Sequence, residues 1–260
     1  MQKITKLASI LCGALALATS FPVNAIVNVE QSIIGQPEEG VHTTLDILAN
    51  GASGNTVNRS TRAGLLSLWQ HSEHTEYLQL QYAYGKSGGL VDTNRAFAHL
   101  RHRTAITPVW AVEGFLQTGR DTFARLAKRL LLGGGVRRVL FEQGGKSAGY
   151  LGLGAFREHE TLNSQSGTTD ALSTKLWRAN TYLVLKYQIN EQVRLLNTAY
   201  YQPALNETHD YRTLDQASLL VKMGQNLDLK LSLDISFDSK PPQGVRKKDL
   251  FYSTGLEFSF

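Results

Sequence analysis

The sequence predicts an all-β fold, an antiparallel transmembrane β-barrel of about 12 strands (10–14), with short periplasmic turns and longer outer loops. Three features predict it: unbroken apolar/polar alternation late in the chain, connections whose lengths sort by parity, and an exporting leader. Between Leu227 and Asp238, Leu227, Leu229, Leu231, Leu233, Ile235 and Phe237 alternate with Asp228, Lys230, Ser232, Asp234 and Ser236. Strand side chains have period two, so each set lines one face. Residues 248–260 repeat the pattern, with Leu250, Tyr252, Thr254, Leu256, Phe258 and Phe260 opposite Asp249, Ser253, Gly255, Glu257 and Ser259. An apolar face for lipid and a polar face for the lumen, about ten residues at a time, mark a membrane barrel. A soluble antiparallel sandwich alternates in the same way and stands as the rival.

The start of the chain separates the two. Lys3 and Lys6 form a positive n-region, residues 7–18 an apolar run, and Val23-Asn24-Ala25 a small-residue cleavage site. The reading is a signal peptide over residues 1–25 cleaved after about Ala25, a periplasmic N-terminal segment over 26–42 and a barrel over 43–260. The apolar run is too short to span a bilayer as a helix. Cys12, the single cysteine, follows Leu11 where a lipoprotein site would need a small residue, so removal is expected in place of lipidation. The mature chain then has no disulfide and no thiolate metal site. Export, alternation and an aromatic terminus together point to the bacterial outer membrane, with its lipid and lipopolysaccharide as surroundings.

Charge says little about nucleic acid. The formal net charge of +5 falls by two when Lys3 and Lys6 leave with the leader, and no basic cluster of the kind that binds a phosphate backbone remains. A content of 42% hydrophobic residues fits a barrel, which exposes apolar side chains at every second position.

Alternation and turn residues place the strands near 43–50, 59–70, 75–85, 94–107, 109–118, 123–141, 147–158, 175–188, 192–202, 209–224, 227–238 and 248–260. An even number puts both ends on one side of the membrane. Odd strands are followed by the longer connections 51–58, 86–93, 119–122, 159–174, 203–208 and 239–247. Even strands are followed by 71–74, 108, 142–146, 190–191 and 225–226. Outer-membrane barrels sort their loops in this way, and a sandwich has no reason to. The longest loop, rich in Ser, Thr, Asn, Gln and Gly, is read as outward-facing, solvated and mobile. Trp69, Trp110, Tyr187, Phe258 and Phe260 would form the periplasmic aromatic girdle, and Tyr84, Trp177, Tyr200, Tyr211 and Tyr252 the outer one.

The polar faces gather a basic set: Arg95, Arg101 and Arg103 on strand four, Arg125, Arg129 and Arg137 on strand six, and Arg178 and Lys186 on strand eight. Glu113, Glu158, Asp215, Asp228, Asp234 and Glu257 are candidate acidic partners. Charges inside a narrow barrel must be paired or hydrated. The set is therefore either a cross-strand ion-pair lattice that braces the wall or a basic constriction that attracts anionic solutes.

Enzyme signals are weak, and no catalytic residue, metal or cofactor is expected. Gly85-Lys86-Ser87 and Gly145-Lys146-Ser147 resemble the end of a phosphate-binding loop, but Leu80 and Leu140 stand where its first glycine belongs. His71 with His74 and His99 with His102 are poorly placed to chelate. The G-x-S-x-G device of many hydrolases is absent from the sequence. Asn58-Arg59-Ser60 and Asn206-Glu207-Thr208 match a glycosylation pattern that a bacterial export product does not use.

With these residues in view, the chain resembles the domain of unknown function 481 family. The likeness rests on Ser239-Lys240-Pro241-Pro242-Gln243-Gly244-Val245, then Lys248-Asp249 and Tyr252-Ser253-Thr254-Gly255-Leu256. Pro37-Glu38-Glu39-Gly40, Ser53-Gly54-Asn55-Thr56 and Leu131-Leu132-Gly133-Gly134-Gly135 add to it. Its members are exported bacterial proteins described as salt-induced outer membrane proteins. The resemblance implies an outer-membrane barrel and brings no substrate or catalytic residues. Ser253, Gly255, Phe258 and Phe260 also resemble the C-terminal signal read by the barrel assembly machinery, which would be a partner during biogenesis. The expected role is a porin-like passive channel or a structural envelope component; a lipid-modifying outer-membrane hydrolase and a soluble periplasmic β-protein are the alternatives. Oligomeric state and solute stay open.

Overall fold

Twelve antiparallel strands close into one barrel in a computed structural model that describes residues 38–52 and 58–260. The leader, most of the segment before the barrel and residues 53–57 of the first loop lie outside the described residues. The strands are β1 (Gly40–Ala52), β2 (Asn58–His71), β3 (His74–Ser87), β4 (Leu90–Ala105), β5 (Trp110–Asp121) and β6 (Leu126–Gln143). They continue as β7 (Ser147–Leu162), β8 (Ser173–Gln188), β9 (Val193–Pro203), β10 (Tyr211–Lys222), β11 (Leu227–Asp238) and β12 (Lys248–Ser259). Each strand pairs with its sequence neighbours, and β1 closes on β12. The seam register runs from Thr44 opposite Ser259 to Ile47 opposite Leu256. Reciprocal bonds between Thr43 and Phe260, at 2.8 and 2.9 Å, complete it.

The period-two pattern sets the faces. On β11, Asp228, Asp234 and Ser236 are buried inside while Leu231 and Leu233 are exposed outside. Trp69, Trp110, Tyr187 and Phe260 are exposed near the short-turn end, and Trp177 and Tyr252 near the loop end. Tyr200 does not belong to the outer girdle: it is 4% exposed and packs inside against Tyr182, while its neighbour Tyr201 faces outward at 45%.

Parity of the connections holds from β7 onward, but residues 122–125 between β5 and β6 are no longer than residues 106–109. Residues 163–172, 204–210 and 239–247 are the long ones; residues 72–73, 106–109, 144–146, 189–192 and 223–226 are short. The connection expected over 86–93 is a correction. β3 and β4 extend until only Gly88 and Gly89 remain between them, with φ of +57° and +84°. Left-handed backbone at both central positions is the tight hairpin turn that two glycines allow.

Side chains fill the interior, as in narrow barrels. Ala148, Tyr150, Tyr182, Val184, Tyr200 and Leu214 form an apolar cluster inside β7–β10. A second row crosses β4, β5 and β7: Phe97 stacks on His99 at 6.2 Å, His99 on Phe115 at 5.6 Å, and Phe115 meets Phe156 edge-on at 6.1 Å. Gly133 pairs with both Phe115 and Phe156, and a Cβ there would lie 2.4 Å from the Phe156 Cβ, so its missing side chain lets the two rings touch. The paired Gly135 and Gly154 are held by backbone, each within 2.4 Å of a carbonyl oxygen across the β6–β7 ladder if given a Cβ.

Backbone cannot yield as a flexible side chain can. Gly154→Ala should therefore destabilise the barrel by about 1–3 kcal/mol through overpacking. Gly114→Ala, where nothing lies within 4 Å, should be neutral. Denaturant unfolding in detergent micelles checks the contrast, and equal effects would refute the tight β6–β7 approach.

Candidate functional site

The inner wall carries two ionic clusters, and each joins strands that are not neighbours. Toward the loop end, Glu158 on β7 accepts from Arg178 Nε on β8 at 3.2 Å and from Arg212 Nη1 on β10 at 2.5 Å. Arg129 on β6 stands 3.6 Å from Glu158 and bonds Glu160 through Nη2 at 2.5 Å. Arg212 also reaches Glu160 at 3.1 Å and Asp238 on β11 at 2.8 Å, while Arg178 reaches Asp210 at 2.9 Å. Alternation places these charges inward, and five strands converge on them.

Toward the short-turn end, Glu113 on β5 accepts from Arg103 Nε on β4 at 2.5 Å and from the Tyr182 hydroxyl on β8 at 2.5 Å. Arg101 lies 3.6 Å from the same carboxylate and 5.7 Å above the Tyr182 ring. Gly152 makes this crossing possible, since a Cβ there would fall 2.0 Å from Tyr182 Cε1. Elsewhere on the wall, Lys230 pairs with Glu257 at 2.7 Å, Arg62 with Asp234 at 3.9 Å, and Arg194 with Asp228. Arg62 also lies over the Phe251 ring at 4.1 Å, and Arg95 faces this group from β4, where its charge is felt by Asp234 and Asp121. Arg137 and Lys186 both lie over the Tyr150 ring, at 3.8 and 5.5 Å. Small cavities of about 50 Å³ beside Arg62 and Arg95 and about 90 Å³ beside Lys186 and Lys230 are left between the groups.

Two residues named from the sequence lie elsewhere. Arg125 is not on the wall: it precedes β6 in a turn with φ +57°, because β6 begins at Leu126. Its guanidinium clamps the outer loops, donating to Asp170 Oδ2 at 2.5 Å, Thr168 Oγ1 at 3.0 Å and the Gln243 carbonyl at 2.9 Å. The loop read as mobile is thereby tied to the Pro-Pro-Gln-Gly loop, with Gln243 also bonding Asp170 and Thr169. Asp215 is not a lumen partner. Arg212, Leu214 and Ser218 are buried inside β10, so Asp215 points out, where Asn197 Nδ2 donates to it at 2.6 Å. Sequence reasoning missed Glu160, Arg212, Tyr182 and Arg62; period-two parity could have placed them inward, but their cross-lumen partners depend on strand stagger.

The end of β12 forms the seam. Ser253 and Glu257 are buried inside, and Gly255 receives the Leu48 side chain, whose Cδ2 would lie 2.1 Å from a Cβ. Phe258 pairs with Leu45 and Leu227. His99 is buried inside, whereas His102 faces outward, stacked on His74 at 5.5 Å and bonded to Glu76 at 2.5 Å. Among the described residues no group of three His, Cys, Asp or Glu side chains could hold a metal ion.

Comparison with known proteins follows this geometry. The family model described as protein of unknown function, DUF481, matches residues 46–260. No curated protein matches the chain. Among solved structures, the COG4313 outer membrane channel from Pseudomonas putida F1 is similar at 12% identity and TM-score 0.53, over 90% of this chain and 100% of that one. The NanC porin is similar at 10% identity and TM-score 0.53, over 84% and 98%. The translocator domain of the autotransporter NalP from Neisseria meningitidis is similar at 12% identity and TM-score 0.50, over 86% and 89%. What these share with the chain is the outer-membrane barrel fold.

Two outcomes test the site. Glu158 is about 2% exposed and touches three guanidiniums, so Glu158→Gln should cost roughly 3 kcal/mol by leaving a buried cationic cluster one negative charge short. Lys240→Ala, which breaks the exposed pair with Glu207, should leave unfolding unchanged. Equal unfolding midpoints would refute the bracing lattice. At the loops, the hydrogen bond from Arg125 holds the Asp170 carboxyl below its ordinary value of 3.8. A depressed carboxyl stabilises the clamp above that value and loses the contribution as pH falls through the folded one. An acid protease should therefore begin to cut within residues 163–172 only as the pH falls below the ordinary carboxyl value. Asp170→Asn should expose the same loop to thermolysin at neutral pH, and resistance in both cases would show that the clamp does not hold it.

Proposed function

Because the chain belongs to the DUF481 family and closes as an outer-membrane barrel, we propose that it is a narrow porin-like passive channel of the bacterial outer membrane. The supporting observation is contact across the lumen between strands that are not neighbours. Tyr182 on β8 meets Glu113 on β5, and Arg212 on β10 meets Glu158 on β7. Such bridges divide the interior and restrict passage to water and small ions moving between paired charges. The distances favour the bracing reading of the basic residues: Arg101, Arg103, Arg129 and Arg178 each have a carboxylate within 3.6 Å. In this reading both chain ends and the short turns are periplasmic and the clamped loops face outward. Residues 1–25 are a cleaved signal peptide, lipopolysaccharide surrounds the outer leaflet, and Ser253, Gly255, Phe258 and Phe260 engage the assembly machinery.

Planar bilayers test the channel. The wild type should show small unitary steps. Tyr182→Ala, which removes the lower bridge, should raise them several-fold, because resistance concentrates at the narrowest point. Silent membranes for both proteins, with folded barrels recovered from the lipid, would overturn conduction in favour of a purely structural wall.

A further inference from the structure

We propose that the outward face of β5–β8, at its loop end, is a binding site for the phosphorylated headgroup of the outer-leaflet glycolipid, lipid A. Register sets the site. Lys128 stands opposite Thr161, His159 opposite Lys175 and Arg157 opposite Trp177, in successive outward rows. Arg120 joins them from β5, where the β5–β6 register shifts between Gly119 and Asp121. Arg120, Lys128, Arg157, Lys175 and Trp177 are all exposed. Neighbouring strands lie about 4.8 Å apart and outward rows about 7 Å apart, so these long side chains converge on one headgroup.

The protein itself does not answer this charge. Among the described residues, none of Arg120, Lys128, Arg157 and Lys175 forms an ion pair, and Arg157 lies over the Trp177 ring, 5.8 Å from its centroid. Alternation is the reason: Glu158 and Glu160 of β7 turn to the lumen, and Asp121 of β5 shares an inward row with Arg95. Like charges gathered on one face of a sheet repel, and a cation turned toward lipid is tolerated near the interface and not at mid-membrane. Phosphate at headgroup level removes both penalties through charge-assisted hydrogen bonds from Lys and Arg. The loop ends of β9–β11 differ, carrying Tyr201, Tyr211 and Phe237 in ring contact at 5.8 and 5.5 Å. Toward mid-membrane from the cations, Leu116, Leu132, Val136 and Leu153 are exposed and offer an apolar bed for acyl chains. Headgroup and tails are thereby recognised together, which a free phosphate does not exploit. The assignment of leaflet rests on the outward orientation of the clamped loops proposed above.

Native mass spectrometry of the folded barrel released from detergent tests the site, with diphosphoryl lipid A, its dephosphorylated form, phosphatidylglycerol and inorganic phosphate as probes. The wild type should retain diphosphoryl lipid A, and excess inorganic phosphate should not displace it. The dephosphorylated lipid and phosphatidylglycerol should bind at least tenfold more weakly. Lys128→Gln, Arg157→Gln and Lys175→Gln combined should weaken lipid A at least tenfold. Lys128→Arg with Lys175→Arg, which keeps the charge, should retain it and guards against a folding failure. Arg138→Gln, at an exposed arginine toward the short-turn end, should leave binding unchanged. A triple variant that matches the wild type, equal retention of phosphatidylglycerol or of the dephosphorylated lipid, an equal loss in Arg138→Gln, or displacement by inorganic phosphate would overturn the proposal. Thermolysin on intact cells carrying Asp170→Asn reads the orientation separately. Cleavage only after permeabilisation would overturn that orientation, whereas cleaved loops with failed lipid A binding would overturn this site alone.

Discussion

A backbone amide inside hydrocarbon has no water to bond, so each must find its partner in an adjacent strand, and a sheet that satisfies this everywhere must close. Closure governs the rest of this molecule. It forces every strand to show one face to lipid and one to the lumen, which is why Leu231 and Leu233 stand exposed beside a buried Asp234. It also confines the polar side chains of twelve strands to a small interior. Crowding, more than any single contact, explains why charges there meet partners across the lumen as well as along the wall.

The interior resolves this crowding with two kinds of contact. Aromatic rings lie flat where the wall has lost its side chains, as Tyr182 does over Gly152 and Phe115 and Phe156 do at Gly133. Ion pairs fill the space beside them, and Tyr182 joins the two through its bond to Glu113. Burying charge is costly unless every ion is matched, and Glu158 with three guanidiniums around it shows the matching at its densest. Asp215 and Asn197 follow the same rule on the membrane face, where a mutual hydrogen bond is the least costly arrangement for two polar groups that parity sends outward.

Much of this was legible in the sequence because strand periodicity is local. β11 carries the expected limits of Leu227–Asp238, and the remaining strands lie where alternation placed them, with ends that differ by a few residues. The errors have physical sources. Gly88 and Gly89 can turn a chain in two residues, so charged residues flanking them entered strands. Charge alone groups Asp215 with the lumen acids, while parity with Arg212 sets its face outward. Register shifts between Leu126 and Lys128 and between Val139 and Phe141 alter counting along β6, the strand that follows Arg125. Partners such as Tyr182 with Glu113 are set by the stagger and girth of the closed barrel, which no stretch of the chain encodes by itself.

The seam has a consequence in time. β1 makes thirteen register pairs with β2 but four with β12, so its two edges differ greatly in strength. Hairpins form between near neighbours in sequence, whereas the seam must bring together residues from opposite ends of the barrel, the slowest kind of encounter. The β1–β12 contact is thus the last to form and the first to breathe. A barrel sealed by so short a join has a natural place for the wall to part sideways while the other ladders stay intact.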